Sequence, residues 1–111
     1  MGTMYNALKL IGVDVNIIAK GTLRDFWERH AETEQSLKSW YHIASKASWT
    51  RPHDIKRIFA SASIIADNRV VFDICGNNYR LVVKFNYPCQ MWFVRFIGTH
   101  KEYDKIDATG V

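Results

Sequence analysis

The sequence predicts an α+β domain: N-terminal helices packed on one face of a mostly antiparallel, twisted sheet of four to five strands, followed by a short C-terminal helix. Three observations predict it. Apolar residues recur at helical spacing as far as Phe59. Beyond Phe59 the chain is a succession of runs rich in β-branched and aromatic residues. Those runs are separated by Asp67-Asn68 and Gly76-Asn77, residue pairs that favour hairpin turns.

The elements follow in order. Residues 13–19 (VDVNIIA) read as a first short strand ending at Lys20-Gly21. Thr22 with Asp25 resembles a helix start, and Leu23, Phe26, Trp27 and His30 then form one apolar stripe at i, i+3, i+4 and i+7. A second helix is expected from about Glu32 to Ser48, burying Leu37, Trp40, Tyr41 and Ala44. A short third helix carries Pro52 in its first turn, where a missing N–H costs nothing. Strands are expected at SASIIA, RVVFDIC, NYRLVVKFNY and QMWFVRFIG. Thr99 followed three residues later by Glu102 is a capping-box pattern, so a helix beginning at His100 should close the fold.

With 111 residues, 48% of them hydrophobic, the chain suffices for one domain, residues 1–111, and is too short for two ordinary ones. Residues 1–16 form an extension of uncertain origin: a misassigned start, a tag remnant (Gly2-Thr3 precedes a second methionine, Met4) or an extra helix. No apolar run is long enough to span a membrane, and no secretory signal stands at the start. Cys75 and Cys89 match no metal spacing and are expected as free thiols in a reducing cytoplasm. The net charge of +4 suits a phosphate-bearing partner, and equally an acidic protein or nothing specific.

Side chains alternate faces along a strand. In residues 78–87 the odd positions are apolar, so the even positions present Arg80 and Lys84 together on the opposite face. In the last strand Phe93, Arg95 and Ile97 are expected to share a face opposite Trp92, Val94 and Phe96. If neighbouring strands pair, Arg80, Lys84 and Arg95 line one surface, with His100 and Tyr103 at its rim. The plain alternative is a set of solubilising cations on the wet side of a sheet.

The chemistry open to such a set is narrow. The four histidines are isolated, no HExxH motif or carboxylate cluster accompanies them, and no glycine-rich phosphate loop is present. Metal-free RNA cleavage needs only a base for the 2′-hydroxyl, an acid for the leaving oxygen and cations for the phosphate. A histidine titrating near neutrality can act as acid or base, and arginine forks match phosphate oxygens. Tyr103 can stack on a base or donate a proton. Asp104 can join the site or simply pair with Lys101 or Lys105.

The segments IIAKGTLRDFWERH, GNNYRLVVKFNY and FVRFIGTHKEYDKID resemble the HigB-type toxins of bacterial toxin–antitoxin pairs, within the RelE-like superfamily of mRNA-cleaving toxins. The resemblance runs from about Ile17 to Asp107, and the THxEYD segment after a GNxxR hairpin is specific in combination. It implies a small cytoplasmic endoribonuclease that cuts mRNA on the translating ribosome, with no metal and no cofactor. It also implies a cognate helix-turn-helix antitoxin of the HigA kind, through which alone DNA is contacted. His100, Tyr103, Arg80 and Arg95 fall on the catalytic motif positions, and Lys84, Lys101 and Asp104 are expected to bind substrate. The implied roles are His100 as acid or base, the two arginines on the scissile phosphate and Tyr103 orienting the substrate. The segment before Ile17 departs from the family pattern.

Overall fold

The computed structural model describes residues 15–111, so the extension considered above lies outside the described residues apart from its last two positions. The elements are β1 (Asn16–Ile18), α1 (Lys20–Arg29), a 3₁₀ turn (Ala31–Thr33), α2 (Glu34–Lys46), α3 (Pro52–Ile58), β2 (Ser63–Ile65), β3 (Arg69–Ile74), β4 (Tyr79–Asn86), β5 (Met91–Thr99) and α4 (His100–Tyr103). The strands form one sheet in the order β1-β5-β4-β3-β2. Among the described residues only the β1–β5 pair is parallel, with Ile17 opposite Trp92.

Helix α1 begins earlier than the Thr22/Asp25 pattern predicts. Its N-cap is Ala19 in the left-handed region (φ 80°), with no side-chain cap. The tight exit from β1 therefore fixes the start, and Leu23 and Phe26 still deliver the buried stripe. In α2, Leu37, Trp40 and Ala44 are buried and Tyr41 is half-buried. Arg51, extended as a residue before proline should be, caps α3 with Pro52 in its first turn. The main core lies between these helices and the sheet face formed by Tyr79, Leu81, Val83, Phe85 and Trp92. Trp92 is fully buried, and its indole N–H donates to the Ala44 carbonyl at 2.9 Å, tying β5 to α2.

Both hairpins form. Asp67 and Asn68 each have φ 61°, the paired left-handed conformation of a tight β2–β3 turn. In the β3–β4 turn the left-handed pair is Cys75-Gly76 rather than Gly76-Asn77. The β3–β4 register sets Asp73 against Arg80 and Arg69 against Lys84.

The last strand departs from simple alternation. Val82 faces Phe96 while Val83 faces Val94, so Arg95 is the extra residue of a bulge in β5. Beyond the bulge the faces exchange: Ile97 joins Val94 against the core, and Phe96 falls on the face of Phe93. The expected grouping of Phe93, Arg95 and Ile97 is therefore wrong, because period-2 counting cannot survive an inserted residue. The second sheet face is also not wholly wet. Val71, Val82 and Arg69 are buried there, and the chain beyond α4 returns to it, where Arg69 Nε and Nη2 donate to the Val111 carbonyl at 3.1 and 2.5 Å.

Candidate active site

The corner between β5 and α4 is built by local bonds. The Thr99 N–H donates to Glu102 Oε1 at 2.8 Å and the Glu102 N–H donates to Thr99 Oγ1 at 3.1 Å, a complete capping box. The Thr99 backbone N–H first, and the Thr99 side chain after it, hold the Glu102 carboxyl below its ordinary range, with help from His30 and Arg29. The His100 N–H donates to the Asn78 carbonyl at 2.9 Å, so the β4–β5 ladder runs directly into the helix. Gly98 just before it is buried, and a Cβ there would sit 2.6 Å from Phe96 Cζ and 2.8 Å from Glu102 Oε1.

Helix α4 is a single turn that presents His100 and Asp104 on one side, with Nδ1 3.2 Å from Oδ2. Asp104 thus pairs with the histidine rather than with Lys101 or Lys105. Both side chains are open to solvent, at 44% and 59% exposure. Such a carboxylate orients the imidazole and leaves its other nitrogen outward. Tyr103 is half-buried, its ring 6.4 Å from that of Phe96, and Lys101 is exposed.

Arg80 pairs across the ladder with Gly98, two residues before His100. Its guanidinium is closely held. Nε lies 3.3 Å from Asp73 Oδ1, Nη1 donates to the Asn77 and Tyr79 carbonyls at 3.2 Å each, and Nη2 donates to Asn77 Oδ1 at 2.5 Å. Lys84 shares this face and is exposed, but it stands opposite Phe93 and Arg69. Four strand residues separate it from Arg80, about 13 Å. Arg95 is exposed on the bulge between them. The structure therefore gathers Arg80, His100, Tyr103 and Asp104 near one end of the sheet, and spreads Arg95 and Lys84 along it.

A profile of HigB toxins, described as the RelE-like toxic component of a toxin–antitoxin system, matches residues 33–106. That stretch is two thirds of the chain and contains Arg80, Lys84, Arg95, His100, Tyr103 and Asp104. The chain belongs to the HigB toxin family. Among similar proteins are the mRNA interferase toxin HigB of Escherichia coli (strain K12) and the mRNA interferase HigB of Shigella flexneri. Each is 27% identical over 96 residues, covering 85% of this chain and 92% of the relative. The mRNA interferase HigB of Escherichia coli O6:H1 is 24% identical over 94 residues, 83% of this chain and 91% of its own. As toxic components of toxin–antitoxin systems, members of the HigB family are paired with an antitoxin.

Two groups in this HigB-family chain escape strand alternation and motif reading. The first is Asp73 with Asn77, which anchors Arg80. Asp73 is signalled in the sequence only as an acidic residue interrupting the otherwise apolar stretch Val70–Ile74, and Asn77 only as a member of the GNxxR hairpin motif. The second lies on the helix side of the corner. The Tyr79 hydroxyl donates to Glu32, and His30 stacks on Phe26 at 4.3 Å with its ring edge-on to Tyr79 at 5.5 Å. The bond to Glu32 pushes the Tyr79 hydroxyl up to about 12 and holds the Glu32 carboxyl down. Tyr79 reads as an ordinary core residue in the strand pattern, and it is buried. Among the described residues, no helix is long and apolar enough to cross a membrane.

Proposed function

We propose that this chain is the endoribonuclease toxin of its toxin–antitoxin pair, cutting translated mRNA at the ribosome by attack of the 2′-hydroxyl on the adjacent phosphate. The observation that carries this reading is the meeting of His100, oriented by Asp104, with Arg80 at one sheet end in a HigB-family chain. His100 handles protons, Arg80 and Arg95 attract the phosphate, and Tyr103 orients the substrate. Lys84, Lys101 and Asp104 extend the binding surface or steer the imidazole. The names of the relatives, all mRNA interferases, support the substrate class. None of these steps needs a metal ion, because RNA supplies its own nucleophile and positioned side chains supply the proton transfer. A helix-turn-helix antitoxin acting in the cytoplasm completes the proposal, and any contact with DNA passes through it.

Primer extension on mRNA from cells briefly induced for the chain tests it, beside His100→Ala and Tyr103→Phe. Discrete new 5′ ends within reading frames, lost in at least one folded variant, are expected. Growth arrest with intact mRNA would instead indicate a protein that stops translation by occupying RNA or ribosome.

A further inference from the structure

Arginine has five N–H donors. In Arg80, Nε faces Asp73, both Nη1 hydrogens have carbonyl acceptors, and one Nη2 hydrogen is taken by Asn77. Five less four leaves one. In this state Arg80 cannot offer a phosphate the two parallel bonds that make a guanidinium fork effective. A phosphate gains that grip only by taking the place of an existing acceptor. Asp73 is the replaceable one. The carbonyls belong to the turn and to β4 itself and Asn77 Oδ1 holds Nη2 more closely, at 2.5 Å, whereas Asp73, the anion among the acceptors, contributes a single side-chain oxygen at 3.3 Å and is 31% exposed.

We infer that substrate exchanges partners with this ion pair: the scissile phosphate displaces Asp73 from Arg80, and the freed Asp73 carboxylate becomes the proton acceptor for the 2′-hydroxyl. This inference rests on the ribonuclease reading above and adds a catalytic residue to it. The register supports the placement. Asp73, Arg80 and Gly98 form one row across β3, β4 and β5, and His100 follows two residues beyond the row's far end. At about 4.8 Å per strand, Asp73 and the β5 corner stand about 10 Å apart with Arg80 between them. Base, phosphate clamp and acid therefore lie in sequence across the sheet. Gly98 adds no side chain to the row, and a Cβ there would push against the far ends of Phe96 and Glu102.

The step balances without a co-reactant. Asp73 accepts the 2′-hydroxyl proton as that oxygen bonds to phosphorus. The bond from phosphorus to the 5′-oxygen breaks, and that oxygen takes its proton from the His100 imidazolium. The products are a 2′,3′-cyclic phosphate and a 5′-hydroxyl end. Neutral Asp73 and neutral His100 then exchange the proton through solvent, and Asp73 returns to Arg80.

Partner exchange has a signature that a merely structural ion pair lacks. In Asp73→Asn the competing anion is gone, so an uncleavable RNA, with 2′-deoxy sugar at the cut, should bind as tightly as to wild type or tighter. Single-turnover cleavage of the matching all-ribose RNA should fall by a factor of about 100 or more. Asp73→Glu, which keeps a carboxylate, should cleave faster than Asp73→Asn and serves if the amide disturbs the turn. Binding weakened in step with cleavage in both variants would overturn the inference, leaving Asp73 as a strut for Arg80. Cleavage within threefold of wild type in Asp73→Asn would overturn it as well. A wild-type chain that cuts no RNA, either free or on translating ribosomes, would refute the ribonuclease reading itself, which separates the two failures.

Discussion

Replacing Thr99 with alanine removes the hydroxyl that accepts the Glu102 N–H and leaves a helix of one turn without its cap. Loss of a capping side chain costs about 1 kcal/mol. The cost here falls on the element that carries His100. Thr99→Ala should therefore lower RNA cleavage several-fold while shifting the thermal midpoint only slightly, which a melting curve beside a cleavage assay resolves. A second residue-scale outcome concerns Tyr79 and Glu32. The tyrosine's shift is upward, so the contribution of their bond is complete below its ordinary value of 10.0 and vanishes as pH climbs towards about 12. The glutamate's shift is downward, so the same contribution is complete above 4.5 and fades as pH falls below that. The stability difference between wild type and Tyr79→Phe, followed by denaturant titration, should be flat between those limits and shrink outside them. The motif GTHKEYD made the capping box legible in the sequence, because it depends on contacts three residues apart, whereas Asp104 has Lys101 and Lys105 as local competitors and spacing alone leaves its pairing with His100 open. The Tyr79–Glu32 bond spans 47 residues, and no local pattern announces it.

At the scale of elements, β5 determines most of what the corner can do. The bulge at Arg95 sends Phe96 to the second face, where its ring covers Gly98 and approaches Tyr103. A methyl group at position 98 meets both that ring and the Glu102 carboxylate. Gly98→Ala should accordingly cost about 1–3 kcal/mol, read as a lowered unfolding midpoint, and should disturb α4 with it. On the other face of the strand, Trp92→Phe leaves the Ala44 carbonyl without its indole donor in a fully buried setting. A loss of about 1–3 kcal/mol is expected in a denaturant titration. The helices and hairpins were readable because their signals are periodic: Leu37, Trp40 and Ala44 for α2, Tyr79 to Phe85 for β4, Asp67-Asn68 for a turn. A bulge has no periodic signal. Arg95 looks like any other strand cation until its cross-strand partners are known.

For the whole molecule, electrostatics set how RNA is met. The net charge of +4 and the exposed Lys84, Arg95 and Lys101 give a cationic approach to a corner whose own arginine is already engaged. Affinity for single-stranded RNA should then fall as salt rises, and each phosphate contact should add about 0.7 to the slope of log affinity against log salt. Lys84→Ala should reduce that slope by about this amount without changing where the RNA is cut. Fluorescence anisotropy across a salt series measures the first, and end-mapping of the products measures the second.

The sheet order has a further meaning in time. Strand β1, the first described element, pairs among the described residues with β5, the last strand, with Asn16 set against Met91. A chain emerging N-terminus first cannot complete this edge until both are present. Asp73, Arg80 and His100 also arrive late. At synthesis rates of roughly 5–20 residues per second, about 4 to 18 s pass between the appearance of β1 and that of Asp104. For most of that interval the growing chain lacks β5, so the β1 edge is unpaired and the corner between β5 and α4 is not yet built. The sheet, and with it the corner beside Arg80, closes only when nearly the whole chain has been made.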